Sequence, residues 1–378
     1  MASRTIVEIS RSDLTGLSAP GGRITGLQHL ASYNWLERPV ATISVPGAPP
    51  RWSPPSYAQQ LTPDSGMVYI DQNAARNPRS PLEPCFLALY TEHSDFNIGD
   101  FDLVTDRNNI RKLLRFVQGS SDDAFQIRVE IAGEKTALFT RVEEKTKETI
   151  QGFRGYGHNF EKAYTRSDSG STGHHRIVSY TFGGLKCIIR HEVDGYVDDN
   201  RDPSDLANEL GDAMKKLAIS KPDIAIKYPG VVGIEAQGRA VDLSTTLEIK
   251  TRASHRVLDM AEVSPQLWIS QTPRLVVGYH RRGLFDDVQL RDMARELAQW
   301  ETRNQKHLSM LAGLLNKIIN VVKSSGGDRS ALVKYDGGSK LKITAVEGPK
   351  KALPDYWYAK MEPESKDSEN EATAQRPE

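Results

Sequence analysis

The sequence predicts an α+β fold, a single domain with one or more mixed β-sheets that carry acidic side chains and with helices flanking them. Two observations support this class. Short β-branched runs of alternating polarity recur along the chain, as in 125–142 and 245–252, which is typical of half-buried strands. Between them lie amphipathic stretches such as 107–117, with apolar residues three and four apart as on one face of a helix.

The composition limits the classes of function. Of 378 residues 26% are charged and the net charge is zero, so a site for a polyanion has to be a local basic patch. The two cysteines, Cys85 and Cys187, exclude a disulfide framework and fit a reducing compartment, and Cys187 reads as core. No stretch resembles a signal peptide or a membrane span. We therefore expect a soluble intracellular protein with no membrane partner.

The order of segments predicts one domain with polar ends. Residues 1–65 are rich in Pro and Gly and are expected to pack in extended form on the main domain, 66–355. Residues 198–243 read as a polar insertion between two acidic strands, and 356–378 as a disordered tail because they lack apolar residues. The amphipathic stretch 286–323 is expected to form helix that covers the sheet, with binding of a partner helix as the alternative.

The run TTLEIKTR, 245–252, places Glu248 and Lys250 on one face of a predicted strand. An ion pair on a half-exposed strand would explain this segment by itself. A second same-face pair, Glu192 and Asp194, follows the apolar run of another predicted strand, whose apolar character indicates a central position. Two neighbouring strands of this kind would bring three carboxylates and an amine to one point.

Carboxylates that converge raise each other's pKa unless a cation lies among them. Oxygen ligands favour Mg²⁺ or Mn²⁺, and one or two such ions can activate water and neutralise charge on a phosphoryl group. A nearby lysine can then orient the water or stabilise the phosphorus. This is the logic of the PD-(D/E)xK nucleases.

Three flanking segments add to this pattern. In GHNFE, Gly157 stands four residues before Glu161. Arg107 lies where an apolar strand turns into a helix, a position suited to gripping phosphate. Gln266 lies on a predicted helix just before the strand PRLVVGY.

Together these motifs resemble the DXO family of eukaryotic RNA decapping and 5′-end quality-control nucleases, as a divergent member of fungal type. The resemblance spans residues 102–281, where the family's arginine, G-x-x-aromatic-E, E-x-D, E-x-K-T and helix glutamine match, in order, Arg107, Gly157 with Glu161, Glu192 with Asp194, Glu248 with Lys250, and Gln266. The chain departs from the family at Asp106 and Asn108, where Trp and Gly are usual. It also has a longer link between Asp194 and Glu248.

The resemblance implies a catalytic domain at 66–355 that hydrolyses RNA 5′ ends in mRNA quality control. It implies removal of incomplete, nonstandard or NAD caps, or of pyrophosphate from 5′-triphosphate RNA, with 5′-monophosphate products. Which reaction dominates, and whether 5′→3′ exoribonuclease activity follows, is left open. A nuclear 5′→3′ exoribonuclease is a candidate partner, and the location is the nucleus or the cytoplasm, with the nucleus favoured.

The predicted site has metal ligands and substrate-binding residues around one or two Mg²⁺ or Mn²⁺ ions. The expected metal contacts are Glu161, Asp194 and Glu248 directly, the Ile249 carbonyl, and Glu192 through a metal-bound water. The residues expected to act on substrate are Lys250 and Gln266, which position the nucleophile and the scissile phosphate, and Arg107, which binds the 5′ phosphates.

Two other functions are weighed against this one. A DNA endonuclease of the same superfamily is less favoured because no base-reading feature is visible and the Arg107 and Gln266 segments fit the RNA family better. A non-catalytic stabilising partner of an exoribonuclease is less favoured because all the acids are retained.

Two remaining signals are interpreted as structural. His174 and His175 lack further ligands at zinc spacing and are expected in a solvated loop near the mouth of the RNA site. Trp268 is expected to pack in the interior, with stacking on a base as the alternative.

Overall fold

The structure, a computed structural model, describes residues 4–17, 19, 21–153, 155–168, 170–198, 232–326, 329–346 and 351–361. The strands are, in chain order, β1 (Thr5–Ser10), β2 (Ile24–Leu36), β3 (Thr42–Val45), β4 (Arg51–Trp52), β5 (Gln59–Gln60), β6 (Gly66–Tyr69), β7 (Leu103–Asp106), β8 (Phe125–Ala132), β9 (Thr136–Val142), β10 (Lys147–Ile150), β11 (Thr165–Arg166), β12 (Ser171–Phe182), β13 (Leu185–Glu192), β14 (Gly195–Tyr196), β15 (Gly233–Ala236), β16 (Thr246–Ala253), β17 (Arg274–Arg281), β18 (Leu284–Asp292), β19 (Ser330–Tyr335) and β20 (Lys340–Ala345). The helices are α1 (Gln72–Arg76), α2 (Glu83–Glu92), α3 (Arg107–Gln118), α4 (Gly157–Tyr164), α5 (Met260–Ser270), α6 (Ala294–Arg303), α7 (Gln305–Lys323) and α8 (Asp355–Ala359).

Two large mixed sheets dominate the fold, which confirms the predicted α+β class. The larger sheet has the order β1-β20-β19-β8-β9-β7-β13-β12-β2-β3-β15, and the smaller one has the order β11-β4-β14-β16-β17-β18-β5. A separate ribbon pairs β6 with β10. Each sheet has a parallel pair in its interior, β7 with β13 in the larger sheet and β16 with β17 in the smaller one. The acidic motifs begin on β13 and β16 of these pairs.

Helices cover both faces of the larger sheet. The apolar stripes of α3 and α7 pack with the sheet in one core, to which Leu113, Leu311 and Leu315 contribute. The other face is covered by α2 and α8, where Phe86 and Trp357 are fully buried. Since these stripes follow the helical period, the sequence predicts which face each helix buries.

The N-terminal 65 residues contribute strands to both large sheets. β1 pairs with β20, and β2 pairs with β12 in the interior of the larger sheet. The short strands β4 and β5 belong to the smaller sheet. The Pro and Gly content obscured β2, whose Tyr33 and Trp35 are fully buried.

The predicted tail boundary at residue 356 is wrong. Helix α8 continues to Ala359, and Trp357 packs against Phe86 and Tyr90 with ring centroids 5.5 and 5.1 Å away. The three aromatic residues between 356 and 358 supply the apolar area that the composition of the whole tail obscured. Residues 362–378 of the predicted tail lie outside the described residues.

The predicted helical stretch 286–323 begins with strand. β18 runs from Leu284 to Asp292 and pairs with β17, so that α6 begins only at Ala294. Helix α7, which follows α6, packs on the larger sheet. This is the predicted arrangement in which the helical part of the stretch covers the sheet. Within the described part of the chain, no helix is both long and apolar enough to cross a membrane.

Of the predicted insertion 198–243, the structure describes residue 198 and the part from Val232 onward. In the described part, β15 pairs in parallel with β3 at the edge of the larger sheet. Arg38 and Glu235 join this edge strand to the end of β2 through two hydrogen bonds of 2.7 and 3.0 Å. This portion of the insertion is therefore part of the sheet.

Candidate active site

A cleft of about 750 Å³ is lined by residues of both sheets and of the helices between them. Its lining includes the beginnings of α3 and α4, the start of β12 and the end of β13. After Glu192 the chain leaves the larger sheet at β13 and enters the smaller one at β14. The E-x-D pair therefore lies at the crossover between the two sheets.

Strand β16 carries the E-x-K pair into the interior. Glu248 is 2% exposed, and its carboxylate accepts hydrogen bonds from Lys250 Nζ at 2.5 Å and from Gln266 Nε2 on α5. Arg107 Nη1 donates to the other carboxylate oxygen, 3.1 Å away. A carboxylate this deeply buried needs such partners, so the pair is no surface ion pair.

Arg107 joins the two sheets. It is the first residue of α3, directly after β7 of the larger sheet, and its partner Glu248 lies on β16 of the smaller sheet. The side chain also lines the cleft. The guanidinium is thus held near the acids and remains accessible from the cleft.

Asp194 and Glu161 approach from two further elements. Asp194 Oδ2 accepts a hydrogen bond of 2.8 Å from the Ile249 backbone N–H, which places it beside β16. Glu161 lies on α4, and the neighbouring Phe160 packs so close to Gly278 of β17 that a Cβ there would be 2.6 Å from its ring. Glycine at 278 is therefore what lets α4 pack against β17 and carry Glu161 into the cleft.

The four carboxylates differ in electrostatic environment. Burial, and then the carboxylates of Asp194 and Glu192, raise the pKa of Glu161 well above its ordinary value. Burial followed by the Glu248 carboxylate likewise raises the pKa of Asp194. Burial would raise the pKa of Glu248 too, but Lys250 and Arg107 outweigh it and lower that pKa to about 2.

These acids fit a divalent metal in chemical type. They supply hard oxygen ligands, and the mutual repulsion of Glu161, Asp194 and Glu192 is what a bound cation would relieve. Among the described residues, no three Asp, Glu, His or Cys side chains already surround one metal position. Glu248 would share with the ion an oxygen that is hydrogen-bonded to Lys250, Arg107 or Gln266.

The structure thus places all the predicted site residues around one cleft. Glu161, Glu192, Asp194 and Arg107 line it, whereas Glu248, Lys250 and Gln266 form the hydrogen-bonded group adjoining it. Ile249 contributes its N–H to Asp194; a role for its carbonyl stays a prediction.

The prediction for His174 and His175 is wrong: both lie on strand β12 and are at most 6% exposed. His174 Nδ1 lies 2.6 Å from Asn34 Oδ1, and His175 stacks on Tyr33 with its Nε2 3.0 Å from Asn73 Nδ2. Burial lowers the pKa of both imidazoles well below the usual value. They form a neutral wall of the cleft rather than a solvated loop.

Trp268 packs in the interior, as predicted. Its indole is 3% exposed, lies against Phe182 and Trp300, and donates from Nε1 to Glu301 at 2.9 Å. Cys187 is buried in the same core.

Sequence reasoning missed a residue that supports the site. Asp64 accepts hydrogen bonds from the backbone N–H groups of His158 and Asn159, at 3.2 and 2.9 Å, and so caps the start of α4. Asp64 is 6% exposed and about a quarter of the chain away in sequence. Only a contact between distant segments reveals it, so no local signal could have found it.

Comparison with solved structures shows the class of fold. S. pombe Rai1 in complex with 3′-FADP superposes with a TM-score of 0.58 at 13% identity, over 90% of this chain and 99% of that one. Candida albicans Rai1 in complex with pU5-Mn²⁺ gives 0.55 at 11% identity, over 91% and 97%. K. lactis Dxo1 in complex with manganese gives 0.53 at 10% identity, over 87% and 92%.

The chain therefore has the fold of the Rai1 and Dxo1 structures, which confirms the fold that the resemblance to the DXO family implied. No curated protein matches the sequence. The chain belongs to the family described as domain of unknown function DUF8563, whose model matches residues 6–357.

Proposed function

We propose that this protein is a metal-dependent hydrolase acting on RNA 5′ ends. The observation that carries the proposal is the group around Glu248: one buried carboxylate bonded to Lys250, Arg107 and Gln266, beside three further acids in a cleft. A cation, an amide and a guanidinium around clustered acids suit hydrolysis of a phosphate ester or anhydride.

The related structures support the choice of RNA and of a divalent metal. C. albicans Rai1 holds pU5 with Mn²⁺, and K. lactis Dxo1 holds manganese. S. pombe Rai1 is in complex with 3′-FADP. We carry these ligand classes over to the present chain because it supplies carboxylates and a guanidinium around the cleft.

The roles proposed for individual residues follow from their contacts. Glu161, Asp194 and Glu248, with the Ile249 carbonyl and with Glu192 through water, would hold one or two Mg²⁺ or Mn²⁺ ions. A bound ion would neutralise charge on the reacting phosphate and make water a better nucleophile. Its ligands would come from both sheets.

The remaining polar residues act on substrate. Lys250 Nζ can donate to the phosphoryl oxygens on which charge develops, or orient the attacking water. The Gln266 amide holds the Glu248 carboxylate in place. Arg107 lines the cleft and can bind the 5′ phosphates. The products proposed are RNA with a 5′-monophosphate and either pyrophosphate or an intact cap dinucleotide.

The test is hydrolysis of matched RNAs with 5′-triphosphate, unmethylated cap, methylated cap, NAD cap and 5′-monophosphate ends. We expect turnover of at least one of the first four in Mg²⁺ or Mn²⁺, loss of turnover in EDTA and recovery when metal is restored. Release of nucleotides from 5′-monophosphate RNA would add 5′→3′ exoribonuclease activity. Full activity in EDTA would contradict the metal-dependent mechanism.

Two matched controls separate the alternatives. Single-stranded and duplex DNA of the same sequence test for a DNA endonuclease, and Glu248→Gln shows whether cleavage belongs to this site. A folded wild-type protein that binds divalent metal yet hydrolyses none of the RNAs would support a non-catalytic role. Stimulation and stabilisation of a 5′→3′ exoribonuclease would then be the function to measure.

A further inference from the structure

Asp106 and Arg190 form a buried ion pair beside the cleft. Arg190 Nε and Nη2 donate to the two carboxylate oxygens of Asp106 at 2.6 and 3.0 Å. The Arg190 Nη1 also donates to the Pro81 carbonyl at 2.7 Å and lies 3.3 Å from the Tyr33 hydroxyl. Arg190 is 2% exposed, so its guanidinium is held by planar, two-point contact in the interior.

The pair joins the two strands that lead into the site. β7 and β13 are parallel neighbours, and Arg190 is opposite Asp106 in their register. Arg107 follows Asp106 directly, and Glu192 lies two residues after Arg190, on the same face of β13. Fixing the pair therefore fixes the ends of both strands where these two site residues emerge.

Asp106 is also the residue that precedes the first turn of α3. An aspartate there commonly caps the helix by accepting from its first N–H groups, but the Asp106 side chain makes no such bond. Its carboxylate is directed to Arg190 instead. The helix begins without a side-chain cap, and Arg107 is oriented by the neighbouring ion pair.

This pair is connected to the acids by polar contacts and by the peptide bond between Asp106 and Arg107. Arg190 holds Asp106, the next residue Arg107 donates to Glu248 at 3.1 Å, and Glu248 accepts from Lys250 and Gln266. The series crosses from the larger sheet to the smaller one at Arg107. A displacement of Arg107 would leave the buried Glu248 carboxylate with one partner fewer.

We propose that Asp106 and Arg190 are positioning residues that orient Arg107, and through it Glu248, for the hydrolytic site. The proposal rests on the proposed function. It also gives a role to Asp106, where the chain departs from the DXO pattern. Neither residue is assigned to contact the reacting atoms.

The chain offers a matched control in the Arg38–Glu235 pair. It has the same two-point geometry, at 2.7 and 3.0 Å, and Glu235 is 1% exposed. It lies at the β15 edge of the larger sheet and does not line the cleft. The control matches the two-point geometry and has one fully buried member, although its arginine side chain is 28% exposed against 1% for Arg190. The control pair is not connected to Arg107.

The test compares the double variants Asp106→Leu/Arg190→Met and Arg38→Met/Glu235→Leu. Replacing both members of a buried ion pair by apolar residues often leaves a protein folded, whereas single replacement leaves an unpaired charge. We expect the first variant to lose ~10-fold or more in the single-turnover rate on 5′-triphosphate RNA and in Mn²⁺ affinity measured by calorimetry, the scale for supporting residues. The control should retain both within about twofold.

A third measurement does not depend on activity. Amide hydrogen exchange should accelerate where β7 pairs with β13 and in β16 of the first variant, and in none of these strands of the control. Arg190→Lys, which keeps the charge but loses the planar two-point contact, should fall between wild type and the double variant. This milder change also decides the question should the double variant fail to fold.

The outcomes separate this proposal from the proposed function. If the wild type hydrolyses no RNA 5′ end, the proposed function fails, and Mn²⁺ affinity and exchange still decide whether the pair orients Glu248. Wild-type rate, affinity and exchange in the folded variants would overturn the positioning role. Faster exchange spread evenly over the whole chain would also overturn it, since that result indicates general destabilisation.

Discussion

The acid cluster has two halves that differ in how their charge is balanced. Glu248 accepts hydrogen bonds from Lys250, Arg107 and Gln266, and the two cations, Lys250 and Arg107, lower its pKa despite burial. Glu161 has no hydrogen-bond or ion-pair partner for its carboxylate in the described part of the chain, and burial with the nearby Asp194 and Glu192 raises its pKa. Two glutamates of one site are thus given opposite preferences for a proton.

The difference indicates that the two sets of carboxylates have different roles. The paired half is a fixed, permanently charged group that its neighbours hold in one orientation. The unpaired half consists of Glu161, Asp194 and Glu192, whose pKa values stay raised although Lys250 lies nearby. An added proton or cation would relieve the repulsion among these carboxylates. We therefore expect a metal to be attracted chiefly by Glu161 and Asp194, with Glu248 already charged to receive it.

The largest effect is expected from removing one charge of the cluster. Glu248→Gln or Asp194→Asn should lower hydrolysis by at least ~10²–10³-fold, the scale for loss of one preorganised electrostatic group. The measurement is the single-turnover rate on 5′-triphosphate RNA, with thermal unfolding as the control for folding. Undiminished activity in either folded variant would contradict the assignment of the site.

Removing the Lys250 ammonium, one of the two cations that contact Glu248, should slow the chemical step. We expect Lys250→Ala to lower the single-turnover rate by ~10²-fold with RNA affinity little changed, because Lys250 acts chiefly as charge develops on phosphorus. Lys250→Arg should rescue only part of the rate, since a planar fork cannot take the place of a compact ammonium. A variant that binds weakly but cleaves normally once bound would make Lys250 a binding residue.

A smaller effect is expected at Gln266, which holds Glu248 without carrying charge. Gln266→Leu removes one hydrogen bond to a buried carboxylate, an interaction worth about 1.5–3 kcal/mol, so the rate should fall by ~10-fold or somewhat more. Single-turnover rate and RNA affinity measured together locate the loss. An unchanged rate would show that Lys250 and Arg107 alone orient Glu248.

The smallest effect is expected at Asp64, which caps the helix that carries Glu161. Asp64→Ala removes the side-chain cap of α4, so unfolding free energy should fall by about 1 kcal/mol and the rate by only a few-fold, because Glu161 lies one turn further on. Chemical denaturation and single-turnover rate measure the two effects. Asn97→Ala removes a comparable side-chain cap from the 98–100 turn, away from the cleft, and should leave the rate unchanged.

Much of the fold could be predicted because periodic patterns record burial. The strands β8 and β9, the strand β16 and the helix α3 appear where alternating or helical apolar patterns predict them. Prediction failed where composition concealed the pattern, as in the polar start of β12 and the Pro- and Gly-rich segment that contains β2. There the pairing of β12 with β2 and β13 decided the structure.

The sequence by itself determined which side chains can form the site. The spacing of Glu192 from Asp194 and of Glu248 from Lys250 places each pair on one face of its strand, since side chains alternate along a strand. That constraint is local and can be read without a structure. The protonation of each acid, in contrast, cannot be read locally, because it depends on groups that are far away in sequence.

Only the tertiary structure decided that Arg107 pairs with Glu248, that Asp64 caps α4, and that Asp106 bonds Arg190 instead of its own helix. Each of these contacts joins residues separated by about 80 to 140 positions. Coulomb energy and desolvation depend on distance and burial in space, and the pairing of strands from two sheets sets both quantities.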